Sequence, residues 1–283
     1  ASVKAYEKGI KRLAEYFASN GISTPNREVL IQYRAYLGAK YESPSTRNLY
    51  LTSAKLFFGF LHREGYLPAN PAEHLKGFKT GEGHKKSALQ SNAVKTIAAK
   101  FDTATLKGTR DKALFALMTT CGLRCIEVNR ANVSDFEIVG NVIRLHVQGK
   151  GRDDKAEAVN VPAGVYQLIQ DWLRARKNFT ADDDGTPLFT SISHNSYGDR
   201  ITTVSISRIV KTALRGAGFD SPRLTAHSLR HTAATVALKN GATLREVQQN
   251  LRHRNVAVTQ VYLHELDELD NSATARTAAA LGF

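Results

Sequence analysis

The chain has 283 residues, 42% of them hydrophobic and 23% charged, and its 39 Lys and Arg against 26 Asp and Glu give a formal net charge of +13. This is the balance of an ordinary folded protein, and it excludes a collagen-like, disulfide-stapled or intrinsically disordered chain. No apolar run approaches the roughly 20 residues that span a bilayer, so the basic surplus points to a polyanionic partner, either nucleic acid or an anionic membrane surface.

The opening segment Ala1-Ser2-Val3-Lys4-Ala5-Tyr6 is already amphipathic, so no signal peptide is expected, and Ala1 in place of Met suggests a processed or trimmed chain. Val3, Tyr6, Ile10, Leu13 and Phe17 share one helical face, and Gly21 ends that helix. Asn26 caps a second helix through Val29, Leu30, Tyr33 and Leu37. A third and longer helix runs from about Ser45 to Glu64, with Leu49, Leu56, Phe57, Phe60 and Leu61 as its apolar stripe and Gly65 as its stop. Together they predict a helical bundle over residues 1–76. Residues 77–88, rich in Gly and Lys and without periodicity, read as a linker.

The following region is mixed. Thr109 caps a helix through Ala113, Leu114, Leu117 and Met118 that ends at Gly122. Residues 141–147 and 156–161 alternate as strands, joined by the polar hairpin Gln148–Lys155. Helices follow at about 164–176, 203–216, 226–239 and 244–251, with a last one carrying Tyr262. The fold class is therefore mainly α: a helical bundle, then a mixed α/β domain over 89–264 with one small antiparallel sheet, then a tail over 265–283.

Charge follows these divisions. Residues 1–83 carry 12 basic and 7 acidic residues, residues 84–262 carry 26 and 15, and the last 21 carry one Arg against four carboxylates. Phosphate would repel that acidic tail, which predicts that it contacts protein.

Most familiar site chemistries can be set aside. Cys121 and Cys125 do not have CxxC spacing and read as reduced, buried thiols of a cytoplasmic protein. Gly149-Lys150-Gly151 lacks the spacing of a P-loop. His227 and His231 stand four apart, but Ser228 occupies the place of the glutamate in a zinc-protease helix, so no metal is expected. Asp182-Asp183-Asp184-Gly185 lacks further calcium ligands at loop spacing and reads as a solvated turn.

The informative run is Thr225-Ala226-His227-Ser228-Leu229-Arg230-His231. His227 and Arg230 are three apart on one helix, near an N-terminus whose free N–H groups favour an anion. His253 follows the next helix, and Tyr262 comes nine residues later. Upstream, Gly122-Leu123-Arg124-Cys125-Ile126-Glu127 puts an arginine just past a helix-ending glycine.

In this order the residues resemble the motifs of the tyrosine recombinases, the phage-integrase family: G-L-R-x-x-E, a hairpin lysine, H-x-x-R, a histidine in L-G-H and a nucleophilic tyrosine. The counterparts here are Arg124 with Glu127, Lys150, His227 with Arg230, His253 and Tyr262. The resemblance spans essentially the whole chain, with residues 1–83 similar to the family's core-DNA-binding domain. One position departs from it. Arg252 stands where the family has the glycine of L-G-H, and its effect on the site is either a distortion or an added phosphate contact.

The resemblance implies a site-specific DNA recombinase or integrase. Tyr262 attacks a phosphodiester to give a 3′-phosphotyrosyl intermediate, and strands exchange through a Holliday junction without metal or cofactor. Forming phenolate from an ordinary tyrosine at pH 7 costs about 4 kcal/mol. Arg124 and Arg230 offset part of this by neutralising the non-bridging oxygens, and His227 and His253 are candidate acceptors of the tyrosine proton. Lys150 would protonate the leaving 5′ oxygen, and Glu127 would orient its neighbours. The implied partners are double-stranded recombination sites, further copies of the chain joined through the tail into dimers and tetramers, and accessory directionality factors of a mobile element. Ser45, Thr46, Arg47 and Tyr50 at the start of the third helix are candidate groove contacts, and Arg152, Arg208 and Lys211 candidate phosphate contacts. Type IB topoisomerase-like relaxation and a catalytically inactive DNA-binding protein are the alternative readings.

Overall fold

The computed structural model describes residues 2–79, 87–149, 151–176, 185–253, 255, 259–260, 262, 277–278 and 280–282. The chain divides into two compact units, Ala1–Glu82 and Gly83–Phe283. Lys150, the acidic turn at 182–184, most of the linker and residues 263–276, including the start of the tail, lie outside the described residues.

The first unit contains α1 (Ser2–Ser19), α2 (Arg27–Lys40) and α3 (Pro44–Arg63). Asn26 caps α2, its Oδ1 accepting the Val29 N–H at 2.9 Å. Helices α1 and α3 meet closely at Gly9, where an added Cβ would lie 2.1 Å from Ser53 Oγ. The core is Leu13, Leu30, Tyr33, Leu37, Leu51, Ala54 and Phe58.

The buried stripe of α3 differs from the one expected. Tyr50, Leu51, Ser53, Ala54 and Phe58 face inward, while Leu56 is 53% and Phe60 46% exposed. A run apolar on several sides leaves the inward face undetermined by periodicity, and packing against α1 and α2 decides it. This corrects the groove assignment of Tyr50. Its ring is 4% exposed and packs edge-on against Tyr41, with centroids 5.0 Å apart, so it belongs to the core. Arg47 is also used within the unit: it donates to the Tyr41 carbonyl and lies over the Phe78 ring at 5.5 Å. Ser45 is exposed and Thr46 half-buried.

The second unit runs α4 (Ser91–Ala99), α5 (Leu106–Cys121), α6 (Cys125–Arg130), β1 (Phe136–Val139), β2 (Val142–Val147), β3 (Glu157–Asn160), α7 (Ala163–Ala175), α8 (Thr203–Gly216), α9 (Ala226–Lys239) and α10 (Leu244–Leu251). The cap of α5 is Thr105 rather than Thr109, its Oγ1 accepting the Gly108 N–H at 3.0 Å. Thr109 instead back-bonds to the Thr105 carbonyl one turn earlier. Buried on nearly every side, α5 forms the centre of this core and packs against α7 and α9. Cys121 belongs to that core, and burial pushes its thiol up to about 12, which leaves it inert.

The sheet is antiparallel in the order β1-β2-β3. Its first strand was not anticipated: Phe136–Val139 pairs with β2 across Gly140, Val139 facing Val142. Helices α4 and α6 were also missed, the latter because six residues offer too little periodicity to read.

Candidate active site

The site is built at the ends of helices. Gly122 closes α5 in the left-handed region at φ 61°. An added Cβ there would lie 2.5 Å from Leu251 Cδ2 and 3.5 Å from Ala233 Cβ, so glycine is required both by the backbone and by the approach of α9 and α10. The turn that follows makes Arg124 the N-cap of α6. Glu127 closes it from the third position: the Arg124 N–H donates to Glu127 Oε2 at 2.8 Å, and Arg124 Nη1 to Oε1 at 2.7 Å. Glu127 is fully buried, while the Arg124 side chain keeps 30% of its surface exposed. Arg200 braces α6 from outside through the carbonyls of Asn129 and Ala131.

Arg230 projects from α9 and is 1% exposed. Its Nη1 donates to the Gly122 carbonyl at 2.6 Å and its Nη2 to the Leu251 carbonyl, so it joins the C-terminal ends of α5 and α10. Burial, with Arg124 nearby, lowers its pKa to about 9, which leaves it cationic at pH 7.

Helix α10 ends in a Schellman motif, the Arg252 N–H reaching the Gln249 carbonyl and the His253 N–H the Gln248 carbonyl. Arg252 takes the αL position at φ 55° and is the one non-glycine residue with positive φ among the described residues. That conformation costs a side-chain-bearing residue roughly 1–2 kcal/mol. The side chain is 3% exposed and donates from Nη2 to Glu127 Oε2 at 2.8 Å. The cap itself is regular: Arg252 closes α10 in the left-handed region with both hydrogen bonds of the motif formed. Burial by itself would raise the Glu127 carboxyl. The charge of Arg252, the Arg124 N–H and the charge of Arg124 outweigh it and hold the carboxyl below its usual range.

His253 leaves this cap with Nδ1 3.0 Å from Thr259 Oγ1. Burial and the neighbouring Arg230, Arg124 and Arg252 push its pKa down to about 4, so it is neutral at pH 7. Its ring lies nearly parallel to that of Tyr262, 9° between planes and 6.4 Å between centroids. Tyr262 is 2% exposed and is covered by Ala234, Val247 and Leu251. His231 meets the Tyr262 ring edge-on at 5.2 Å and the ring of His227 at 4.9 Å. His227, exposed in the first turn of α9, begins a row of rings that runs through His231 to Tyr262 and His253. In the sequence His231 stands out only as a possible metal ligand, and this place in the site is not legible there. Its spacing of four from His227 was the available signal. Among the described residues no group of three or more His, Cys, Asp or Glu is arranged to hold a metal ion.

Gly149 approaches the same place. Arg130 Nη1 donates to the Gly149 carbonyl at 2.9 Å, and a Cβ on Gly149 would lie 4.0 Å from Glu127 Oε1. The expected peripheral contacts sit in different environments. Arg152 pairs with Glu157 at 2.7 Å. Lys211 Nζ donates to the Ser221 carbonyl at 2.7 Å and pairs with Asp220 at 3.1 Å, fastening the segment before α9. Arg208 is exposed on α8.

Residues 87–268 match the profile of the phage integrase family, and residues 1–65 that of the phage integrase N-terminal SAM-like domain. The chain belongs to the phage integrase family. Tyrosine recombinase XerC of Pelobacter propionicus is 31% identical over 278 residues, covering 95% of this chain and 86% of its own. Tyrosine recombinase XerD of Listeria monocytogenes serotype 4b is 27% identical over 272 residues, covering 93% and 87%. The fold is shared with the XerH site-specific recombinase bound to palindromic difH substrate, at a TM-score of 0.79 and 20% identity over 96% of this chain and 79% of that one. It is shared also with a lambda integrase dimer bound to a core site, at 0.67 and 14% over 89% and 88%. The protein is thus a tyrosine-type site-specific DNA recombinase by family. Among the described residues, no helix of this integrase-family chain is long and apolar enough to cross a membrane.

Proposed function

We propose that this chain cuts and rejoins DNA at paired recombination sites through a 3′-phosphotyrosyl intermediate, exchanging strands through a Holliday junction for a mobile element. Tyr262 Oη attacks the phosphorus, forming the Oη–P bond as the P–O5′ bond breaks. Arg124 and Arg230 neutralise the non-bridging oxygens, and the loss of one such donor typically costs about 2.7–4 kcal/mol of barrier. His253, neutral at pH 7, is able to take the tyrosine proton. His227 donates to the phosphate, and Lys150 gives its proton to the leaving 5′ oxygen. The phosphotyrosyl bond conserves the energy of the broken strand, so an incoming 5′ hydroxyl reseals it and releases the tyrosine.

One observation carries this reading. The half-buried His253 ring lies parallel to the buried Tyr262 ring, on the side of α9 from which Arg230 projects. The net charge of +13 supports DNA as the polyanion, through the bundle of residues 1–76 and the catalytic domain of 89–264. The acidic tail of 265–283 is suited to self-association into dimers and tetramers, and accessory factors would set direction.

The test is a nicked suicide duplex built on half-sites that the protein selects from a randomised pool. Covalent adduct with the unaltered protein and none with Tyr262→Phe is expected. Tight binding without adduct would establish a binding-only protein. Relaxation of supercoiled DNA without strand exchange would establish a topoisomerase. Deletion of residues 265–283 is expected to lower recombination more than DNA affinity.

A further inference from the structure

Two arginines share the one carboxylate of this site. Arg124 holds Glu127 Oε1 through Nη1 and Oε2 through its backbone N–H, while Arg252 holds Oε2 through Nη2. With Arg124 alone, the pair would be neutral, and the cation offered to a phosphate would be cancelled by its own partner. With Arg252 the group of three keeps one net positive charge, and both oxygens of Glu127 are fixed in direction.

We propose that Arg252 is a positioning residue for strand cleavage: acting through Glu127, it fixes the Arg124 guanidinium and leaves its charge available to the scissile phosphate. The assignment rests on the recombinase reading above. Three features of the structure support it. Arg252 occupies a backbone conformation that glycine favours, so its side chain is kept there against a local conformational preference. The side chain is 3% exposed, so it is not a surface DNA contact. Its Nε is buried without a hydrogen-bond partner and its Nη1 donates to the Asn250 carbonyl, which holds the guanidinium with Nη2 on Glu127. Arg252 caps α10 and Glu127 lies on α6, so their contact ties the end of one helix to the start of the other.

Arg252→Gly, Arg252→Met and Arg252→Lys separate these contributions. Glycine removes the charge and relaxes the backbone. Methionine removes the charge at similar length, and lysine keeps the charge with a single donor group. Single-turnover adduct formation on the selected suicide duplex is expected to slow about a hundredfold in the Gly and Met variants, with duplex Kd unchanged and partial recovery in the Lys variant. A second measurement needs no DNA: the 13C resonance of the Glu127 carboxyl should titrate at higher pH in Arg252→Met than in the unaltered protein and return toward it in Arg252→Lys. Adduct formation by Arg252→Gly at the unaltered rate would overturn the proposal, as would an unchanged Glu127 titration in Arg252→Met. A loss of rate equal in the Met and Lys variants, with both folded, would reduce Arg252 to a packing role. The absence of adduct from the unaltered protein would instead strike the recombinase reading itself.

Discussion

Arg230 Nη1 donates to the carbonyl oxygen of Gly122 at 2.6 Å, joining residues 108 apart in the chain. Gly122 forms the bond from a left-handed cap of α5, with Leu251 packed where a side chain at this position would stand. The same guanidinium reaches the Leu251 carbonyl, one residue before the second left-handed cap at Arg252. Two helix ends thus orient one arginine.

Gly122→Ala tests that geometry. The left-handed backbone costs alanine roughly 1–2 kcal/mol, and the 2.5 Å approach to Leu251 Cδ2 adds to it. Urea denaturation is expected to show a loss of at least that size, with adduct formation reduced further as the Gly122 carbonyl turns away from Arg230.

Arg230→Lys keeps the charge and loses the fork. One ammonium is poorly placed to bond both carbonyls and a phosphate, so adduct formation should fall about 10²–10³-fold while duplex affinity changes little. A gel-shift titration beside single-turnover cleavage distinguishes the two effects. Equal losses in both would make Arg230 a binding residue only.

His253 makes stability depend on pH with a definite sign. Its folded value, about 4, lies below the ordinary 6.5, so the unfolded chain takes up the proton first. Its contribution is present in full above about 6.5, falls away as the pH drops and is exhausted below about 4. His253→Gln should flatten that part of the profile, measured as urea midpoints between pH 7 and pH 4. An unchanged slope would place the proton elsewhere.

Arg208 and Lys211 lie one turn apart on α8 and should behave differently. Arg208 is exposed, and Arg208→Gln is expected to weaken duplex binding and lower the salt slope by about 1, without loss of stability. Lys211→Met removes the hold on Ser221 and Asp220 and should lower the unfolding midpoint. An unchanged salt slope in Arg208→Gln would remove it from the phosphate path.

The sequence by itself determined most of the helices. Those at Ala163–Ala175, Thr203–Gly216, Ala226–Lys239 and Leu244–Leu251 fall within a residue of where periodicity and caps put them, because both signals are local. It also determined the order and spacing of Arg124, Glu127, His227, Arg230, His253 and Tyr262, which carried the family resemblance. Tertiary structure alone decided which face of α3 is buried, so Tyr50 went to the core and Leu56 outward. It decided that His231 stands between His227 and Tyr262, and that Arg252 reaches Glu127 across 125 residues of sequence. The physical reason is range. Helical periodicity and capping act over a few residues, whereas the choice between two apolar faces, and the partner of a buried guanidinium, are set by surfaces that meet only after the chain has folded.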